Sequence, residues 1–369
     1  MSESSSALLR HRFGANYTPS RNWWYCWNDF EPSAIARDFD ALAGLGLDHL
    51  RIMLVWPSFQ PNPGWVSPAH LDRLSQLMLL AADRGLDIQV SAFTGWLSGF
   101  AFKPPFHEKE RFYSSAKMWA AQELYVRELS KTLMPHKNFF GFDLGNEMNC
   151  CWSAPCAEGD AWMNRVLRLM NELCPGKVHV NGVDHNPWLQ ETTFSPQALV
   201  KEQPIVALHC WTYWAGAYKH GGPLDAPSVM LAAAMAALAR AYGNDPAKPM
   251  WVQEYGASDE WMDAKLLPVF MERATLAAIQ QGVSYFTWWD SHDVDRKFAF
   301  SDSLEYGLGL LTVENKVKEH GRMFKQLAEQ YRGKEAVIPK AALPPPPPPR
   351  TSENSWRWML EWMKKNSRV

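Results

Sequence analysis

Eight short runs rich in Val, Ile, Phe, Tyr or Trp recur along the chain, separated by stretches whose apolar residues fall at helical spacing. The runs are RFGANY (12–17), LDHLRIMLVW (47–56), LDIQVSAF (86–93), FFGFDLGNE (139–147), GKVHVNG (176–182), PIVALHCW (204–211), PMWVQEYG (249–256) and GVSYFTWWD (282–290). Gly, Pro or Asp flanks each of them, as expected of strands. Helices are expected at 33–46, 67–85, 115–134, 158–174, 227–242, 262–280 and 318–331. The gap before PIVALHCW is the weak one, with SPQALVK (195–201) as its only helical segment. Regular alternation of strand and helix makes the strands parallel, and eight near-regular units favour closure into a (β/α)8 TIM barrel over an open doubly wound sheet. No glycine-rich phosphate fingerprint follows the first run, which weakens a dinucleotide-binding reading.

The barrel is expected to occupy residues 1–335, and 336–369 to form a proline-rich linker and a short helix. LPPPPPPR (343–350) can only be extended polyproline. After it, Trp356, Met359, Trp362 and Met363 recur at helical spacing. That apolar face is expected to cover the barrel or to make a homo-oligomer contact; with little positive charge, a membrane-surface role is the weaker reading.

A chain of 369 residues with 47% hydrophobic content can bury one large barrel or two ordinary domains. The net charge of −2 gives no reason to expect nucleic acid or an anionic membrane as partner. No apolar stretch is long enough for a membrane span or a signal-peptide core, so a cytoplasmic protein is expected. Cys151 and Cys156 in CWSAPC are close, but no second pair with ligand spacing follows, so free thiols are expected. The outlier is aromatic content, 13% with 19 Trp, which suits either core packing or a site for the C–H faces of sugars.

In a (β/α)8 barrel, chemistry sits where strands end. Arg51 lies on the second run; Asn146 and Glu147 end the fourth. His209 lies on the sixth, with Trp211 and Tyr213 after it; Glu254 and Tyr255 end the seventh, and Trp288 and Trp289 the eighth. Two glutamates closing apolar strands would converge at one mouth, and paired carboxyls are what glycosidic bond cleavage needs. A salt bridge with a strand-end cation accounts for one such glutamate alone, but less easily for both.

On these residues the chain resembles the retaining glycoside hydrolases of clan A, most nearly family 5, the cellulase and mannanase family. The matches are GNE (145–147), WVQEYG (251–256), the Arg51 of LRI, His209, and Trp288 or Trp289, across residues 12–332. The resemblance implies Glu147 as acid/base, Glu254 as nucleophile, Asn146 on the sugar 2-hydroxyl, Arg51 beneath the nucleophile, His209 beside the acid/base, and a tryptophan flooring the subsite. It implies an oligosaccharide or glycoside substrate and neither metal nor cofactor. The family's tyrosine two residues after the strand-six histidine is Trp211 here, so its role falls to Tyr213 or Tyr255; its histidine after strand three is not visible in VSAFTGW (90–96). A transglycosidase would use the same residues. A non-catalytic carbohydrate-binding barrel would not need both glutamates, and a metal-dependent hydrolase would want a His-x-His that GANYTP lacks. DHN (184–186) and DSHDVDR (290–296) are candidates for binding sugar hydroxyls or for plain solvated turns.

Overall fold

The computed structural model describes residues 7–109, 111–299, 303–339 and 346–367. Among the described residues nine strands form: β1 (Arg12–Tyr17), β2 (His49–Met53), β3 (Asp87–Ser91), β4 (Trp96–Leu97), β5 (Phe100–Ala101), β6 (Phe139–Asp143), β7 (Val206–His209), β8 (Met250–Tyr255) and β9 (Val283–Trp288). Seven of them make one parallel sheet in the order β6-β3-β2-β1-β9-β8-β7, while β4 and β5 form a small antiparallel hairpin after β3. The sheet curls into a (β/α)8 barrel. Its strands are buried along nearly their whole length, as parallel strands covered on both faces must be.

The run 176–182 departs from expectation. It is not a regular strand but an extended segment with one parallel bridge, Asp143 to Val180. Its amides still bond to the strand beside it: Val178 N–H donates to Phe140 O at 3.0 Å and Val180 N–H to Phe142 O at 2.9 Å. It therefore fills the fifth barrel place next to β6. Asn181 N–H turns to the Gln203 side chain at 2.9 Å instead of continuing a ladder. Gly141 permits the close approach, since a Cβ there would meet Val178 O at 1.8 Å.

Helices Pro32–Gly44, Pro68–Ala82, Ala116–Leu133, Cys156–Leu173, Pro196–Glu202, Leu231–Gly243, Leu267–Gln280 and Glu319–Tyr331 surround the sheet. Ser115 and Ser195 accept from the amides of Met118 and Ala198 and so cap their helices. Ser67, placed to do the same, instead shares its hydroxyl with His70 Nδ1 at 2.8 Å. All six cysteines are free thiols. Among the described residues no helix is long and apolar enough to cross a membrane.

The proline tract begins outside the described residues, and from 346 onward the tail lies against the barrel. Arg350 donates to Pro187 O and Phe194 O, both at 3.1 Å. Thr351 caps the helix Ser352–Asn366 by accepting from Asn354 N–H. Trp356, Trp358, Met359, Trp362 and Met363 are all buried in the same apolar cluster as the barrel core. Of the two expected uses of this apolar face, covering the barrel is the one its packing shows. Trp356 Nε1–H donates to Ala215 O at 2.9 Å, on the loop that follows β7. Deleting residues 346–369 uncovers this surface, and calorimetry is expected to show Tm lowered by about 5 °C or more, since each kcal/mol is worth a few degrees in a chain this size.

Candidate active site

Glu254 sits near the C-terminal end of β8, and Glu147 follows β6 by four residues. The turn that presents Glu147 is tight. Its φ of 47° is left-handed, and its N–H donates to Gly182 O at 2.8 Å. Side chains other than glycine adopt that conformation rarely, and such outliers cluster at functional sites. Gly145 makes room for the turn, because a Cβ there would lie 1.9 Å from Phe93 O. His209 is the register partner of Glu254 across β7 and β8. Its Nδ1 lies 2.8 Å from Glu147 Oε1 and 3.3 Å from Glu254 Oε2. One oxygen of each carboxyl and one ring nitrogen all lie within 4.8 Å of one another.

Arg51 stands beneath this group, fully buried. It donates from Nη1 to Glu254 Oε1 at 2.6 Å and to Asn16 Oδ1 at 2.8 Å. Its Nη2 donates to Asn146 Oδ1 and to Asp143 Oδ2, both at 2.6 Å. Asp143 in turn accepts Gly182 N–H at 2.7 Å. These bonds join β1, β2, β6 and β8, so they cross the barrel interior. Glu147, His209 and Glu254 are arranged closely enough to share a cation, but the guanidinium already supplies positive charge at Glu254.

The two carboxyls differ in their partners. Burial first, and Asp184 second, push Glu147 well above the usual carboxyl range. Burial, with Glu147 beside it, leaves Glu254 raised as well, though less far, because the Arg51 guanidinium opposes the rise. Glu254 accepts from Arg51 and from Trp211 Nε1–H at 3.1 Å, both donors that favour its ionised form. Among the described residues no lysine or arginine comes within hydrogen-bond reach of Glu147.

A pocket of about 300 Å³ opens over the pair, walled by Trp96, Trp211, Trp214 and Trp289, with Asp184 and Glu305 among its polar groups. Asn146 lines it as well; Arg51 and His209 lie under its floor. Three expected residues fall elsewhere. Tyr255 points back, its hydroxyl 2.9 Å from Thr275 Oγ1 behind the sheet. Tyr213 is 39% exposed and stacks on Tyr218. Trp288 is core, donating to Leu308 O and packed on Tyr255 and Phe324; pleat alternation sends Trp288 outward and leaves Trp289 to the pocket. The hydrogen bond expected from a tyrosine therefore comes from Trp211. Asp143, Asn16 and Gln253 were not singled out as site residues. Asp143 and Gln253 were legible as polar residues inside otherwise apolar strands. Asp184, flagged only as a hydroxyl binder or a turn, lines the pocket with His185; Trp96 occupies the region where the strand-three histidine is missing.

No family model matches the chain, and no curated protein does. Solved structures do. GH5_18 from Streptomyces cattleya in complex with GlcNAc is 29% identical, with TM-score 0.88, over 97% of this chain and 91% of that one. GH5_18 from Bifidobacterium longum subsp. infantis is also 29% identical, with TM-score 0.85, over 89% and 81%. An exo-β-1,4-mannosidase from Opitutaceae bacterium strain TAV5, 24% identical with TM-score 0.84 over 100% and 70%, shares the fold. A parallel barrel whose mouth holds two buried carboxyls, under a tryptophan-walled pocket, is the frame of a glycoside hydrolase. The chain is such an enzyme, and it is similar to the clan A hydrolases, most nearly those of family 5.

Trp211→Phe keeps the ring and removes the donor to Glu254. A hydrogen bond to a charged group is worth about 1.5–3 kcal/mol, so kcat/KM is expected to fall roughly 10- to 100-fold. Tyr213→Phe is expected to leave kcat/KM within about twofold in the same assay.

Proposed function

We propose that the chain is a retaining, exo-acting β-mannosidase that cleaves short β-mannosides such as Manβ1-4GlcNAc by double displacement. Glu254 is the nucleophile and Glu147 the acid/base. The observation that carries the reading is the spacing of the carboxyl oxygens, within 4.8 Å. Retaining enzymes hold their carboxyls about 5–5.5 Å apart, whereas inverting ones need about 6.5–9.5 Å to admit a water between carboxyl and sugar. The environments divide the roles. A carboxyl raised by burial keeps its proton to give to the leaving oxygen; one held by Arg51 and Trp211 stays ionised to attack. Asn146, fixed from below by Arg51, is aimed at the 2-hydroxyl of the reacting sugar.

The substrate class follows from the pocket and from likeness. A volume of about 300 Å³ is at the small end for ligand sites and suits one or two sugar rings rather than a polysaccharide laid across a cleft. A GH5_18 variant from Streptomyces cattleya, 29% identical to this chain, was crystallised in complex with Manβ1-4GlcNAc.

Purified protein is expected to release mannose from Manβ1-4GlcNAc and from aryl β-mannosides, with little action on polymeric mannan. Hydrolysis of aryl β-glucosides in preference to mannosides would sink the sugar assignment. Glu254→Ala is expected to lose hydrolysis and to regain some turnover with added azide, giving product of inverted configuration; normal activity would remove it as nucleophile. Glu147→Ala is expected to lose on the order of 10²–10⁴-fold on substrates with poor leaving groups. On a dinitrophenyl glycoside its first step should be kept and a phenolate burst should follow. The pH dependence has a definite sign. The acid must be protonated, and burial raises Glu147, so kcat/KM is expected to fall on the alkaline side at a pH well above the ordinary glutamate range.

A further inference from the structure

We infer that Gln253 is a positioning residue for the acid: it holds His209 with its hydrogen on Nε2, leaving a bare Nδ1 to accept a hydrogen bond from the protonated Glu147. The inference rests on the reading of Glu147 as the acid. Gln253, Gln89 and His209 are all fully buried. The Gln253 amide nitrogen donates across the barrel, from β8 to β3, to Gln89 Oε1 at 2.8 Å. Its oxygen is thereby turned to His209 Nε2, 3.0 Å away. A carboxamide oxygen only accepts, so Nε2 carries the hydrogen. A neutral imidazole has one N–H, so Nδ1 is left with a lone pair, 2.8 Å from Glu147 Oε1. Two acceptors do not settle at 2.8 Å, so the hydrogen between them belongs to Glu147; Glu254 Oε2, 3.3 Å from the same nitrogen, takes its hydrogen bond from Trp211 instead. The bond from Glu147 to Nδ1 stabilises the neutral acid and disfavours its anion.

The charged and titratable groups around the pair come from every neighbouring element. Arg51 stands on β2, Asp143 on β6, Glu254 on β8, Asp184 and His185 on the segment after 182, and Cys150 beyond Glu147. Burial outweighs the carboxylates at His209 and keeps the ring neutral. In the first step the Glu147 proton passes to the glycosidic oxygen as its bond to the anomeric carbon breaks and Glu254 bonds to that carbon. In the second, water loses a proton to Glu147 as its oxygen bonds to the carbon and the ester to Glu254 breaks. His209 keeps its single hydrogen throughout. Turning both amides over would reverse the chain: Gln253 would donate to Nε2, and an Nδ1–H would face an ionised Glu147.

The test reads the ring directly. Long-range ¹H–¹⁵N NMR of the full chain labelled in histidine is expected to show His209 as the neutral Nε2–H tautomer, assigned by its absence from His209→Asn. A hydrogen on Nδ1, in neutral ring or imidazolium, would overturn the inference. Gln253→Met frees the ring to invert and to donate from Nδ1 to ionised Glu147. The alkaline limb of kcat/KM is then expected to move down by about one pH unit. Poor leaving groups should suffer while the first step on a dinitrophenyl glycoside is kept. An unmoved limb in folded Gln253→Met would equally overturn it. If Glu147→Ala lost equally on good and poor leaving groups, the acid assignment itself would fall, whatever the tautomer.

Discussion

The site is organised around one buried cation. Arg51 is fully buried and hydrogen-bonds Asp143, Glu254, Asn16 and Asn146. A guanidinium out of water is costly unless it is paired and its fork is filled, and here two carboxylates and two amide oxygens do that. The arrangement also works in reverse. Each group that satisfies Arg51 is fixed by it, so β1, β2, β6 and β8 are locked in mutual register at the end where the pocket opens. Removing the arginine would leave Asp143 and Glu254 buried without their shared cation, which is why its loss would reach fold and chemistry together.

The pocket above is built by loops, and loops need support. Trp211 and Trp214 belong to the segment after β7, whose Ala215 carbonyl is held by Trp356 of the terminal helix. Trp211 in turn holds Glu254. A chain of contacts therefore runs from the far end of the sequence to the carboxyl proposed as nucleophile. The aromatic excess is divided between these uses: Trp56, Trp188, Trp251 and Trp288 are fully buried fillers, while Trp96, Trp211, Trp214 and Trp289 wall the pocket.

The barrel was legible because strand and helix periodicities alternate so regularly. The glutamates were legible because a carboxylate that closes an apolar strand is costly to bury, and two at matching strand ends point to a shared use. The fifth strand was misread for a physical reason. GKVHVNG has strand composition, but its pairing depends on Gly141 of the neighbouring strand and on the Gln203 side chain, which lie outside the run. Trp288 and Trp289 could not be separated from composition alone, since the difference is which face of the pleat each occupies. Tyr213 and Tyr255 were favoured by chemical analogy with a tyrosine, whereas an indole N–H at Trp211 supplies the same donor from a different ring. The role of Asp184 was not legible, because a turn that binds substrate and one that faces water share the same residues.

Two glutamates in one small cavity have different surroundings because the chain delivers them differently. Glu254 lies within β8, and its pairing with His209 after a register shift, above Arg51, sets it among donors before any substrate arrives. Glu147 leaves its strand through a left-handed turn that lifts it away from the guanidinium, toward Asp184 and the ring of His209. Burial raises both carboxyls, but two donors oppose the rise at Glu254 while Asp184 adds to it at Glu147. The strain of the turn is thus tied to the proposed division of labour: a Glu147 in relaxed strand geometry would follow the path of β6 toward the charges that Arg51 gathers. Backbone conformation, set by Gly145 and the Gly182 carbonyl, acts here as the means of setting an acidity.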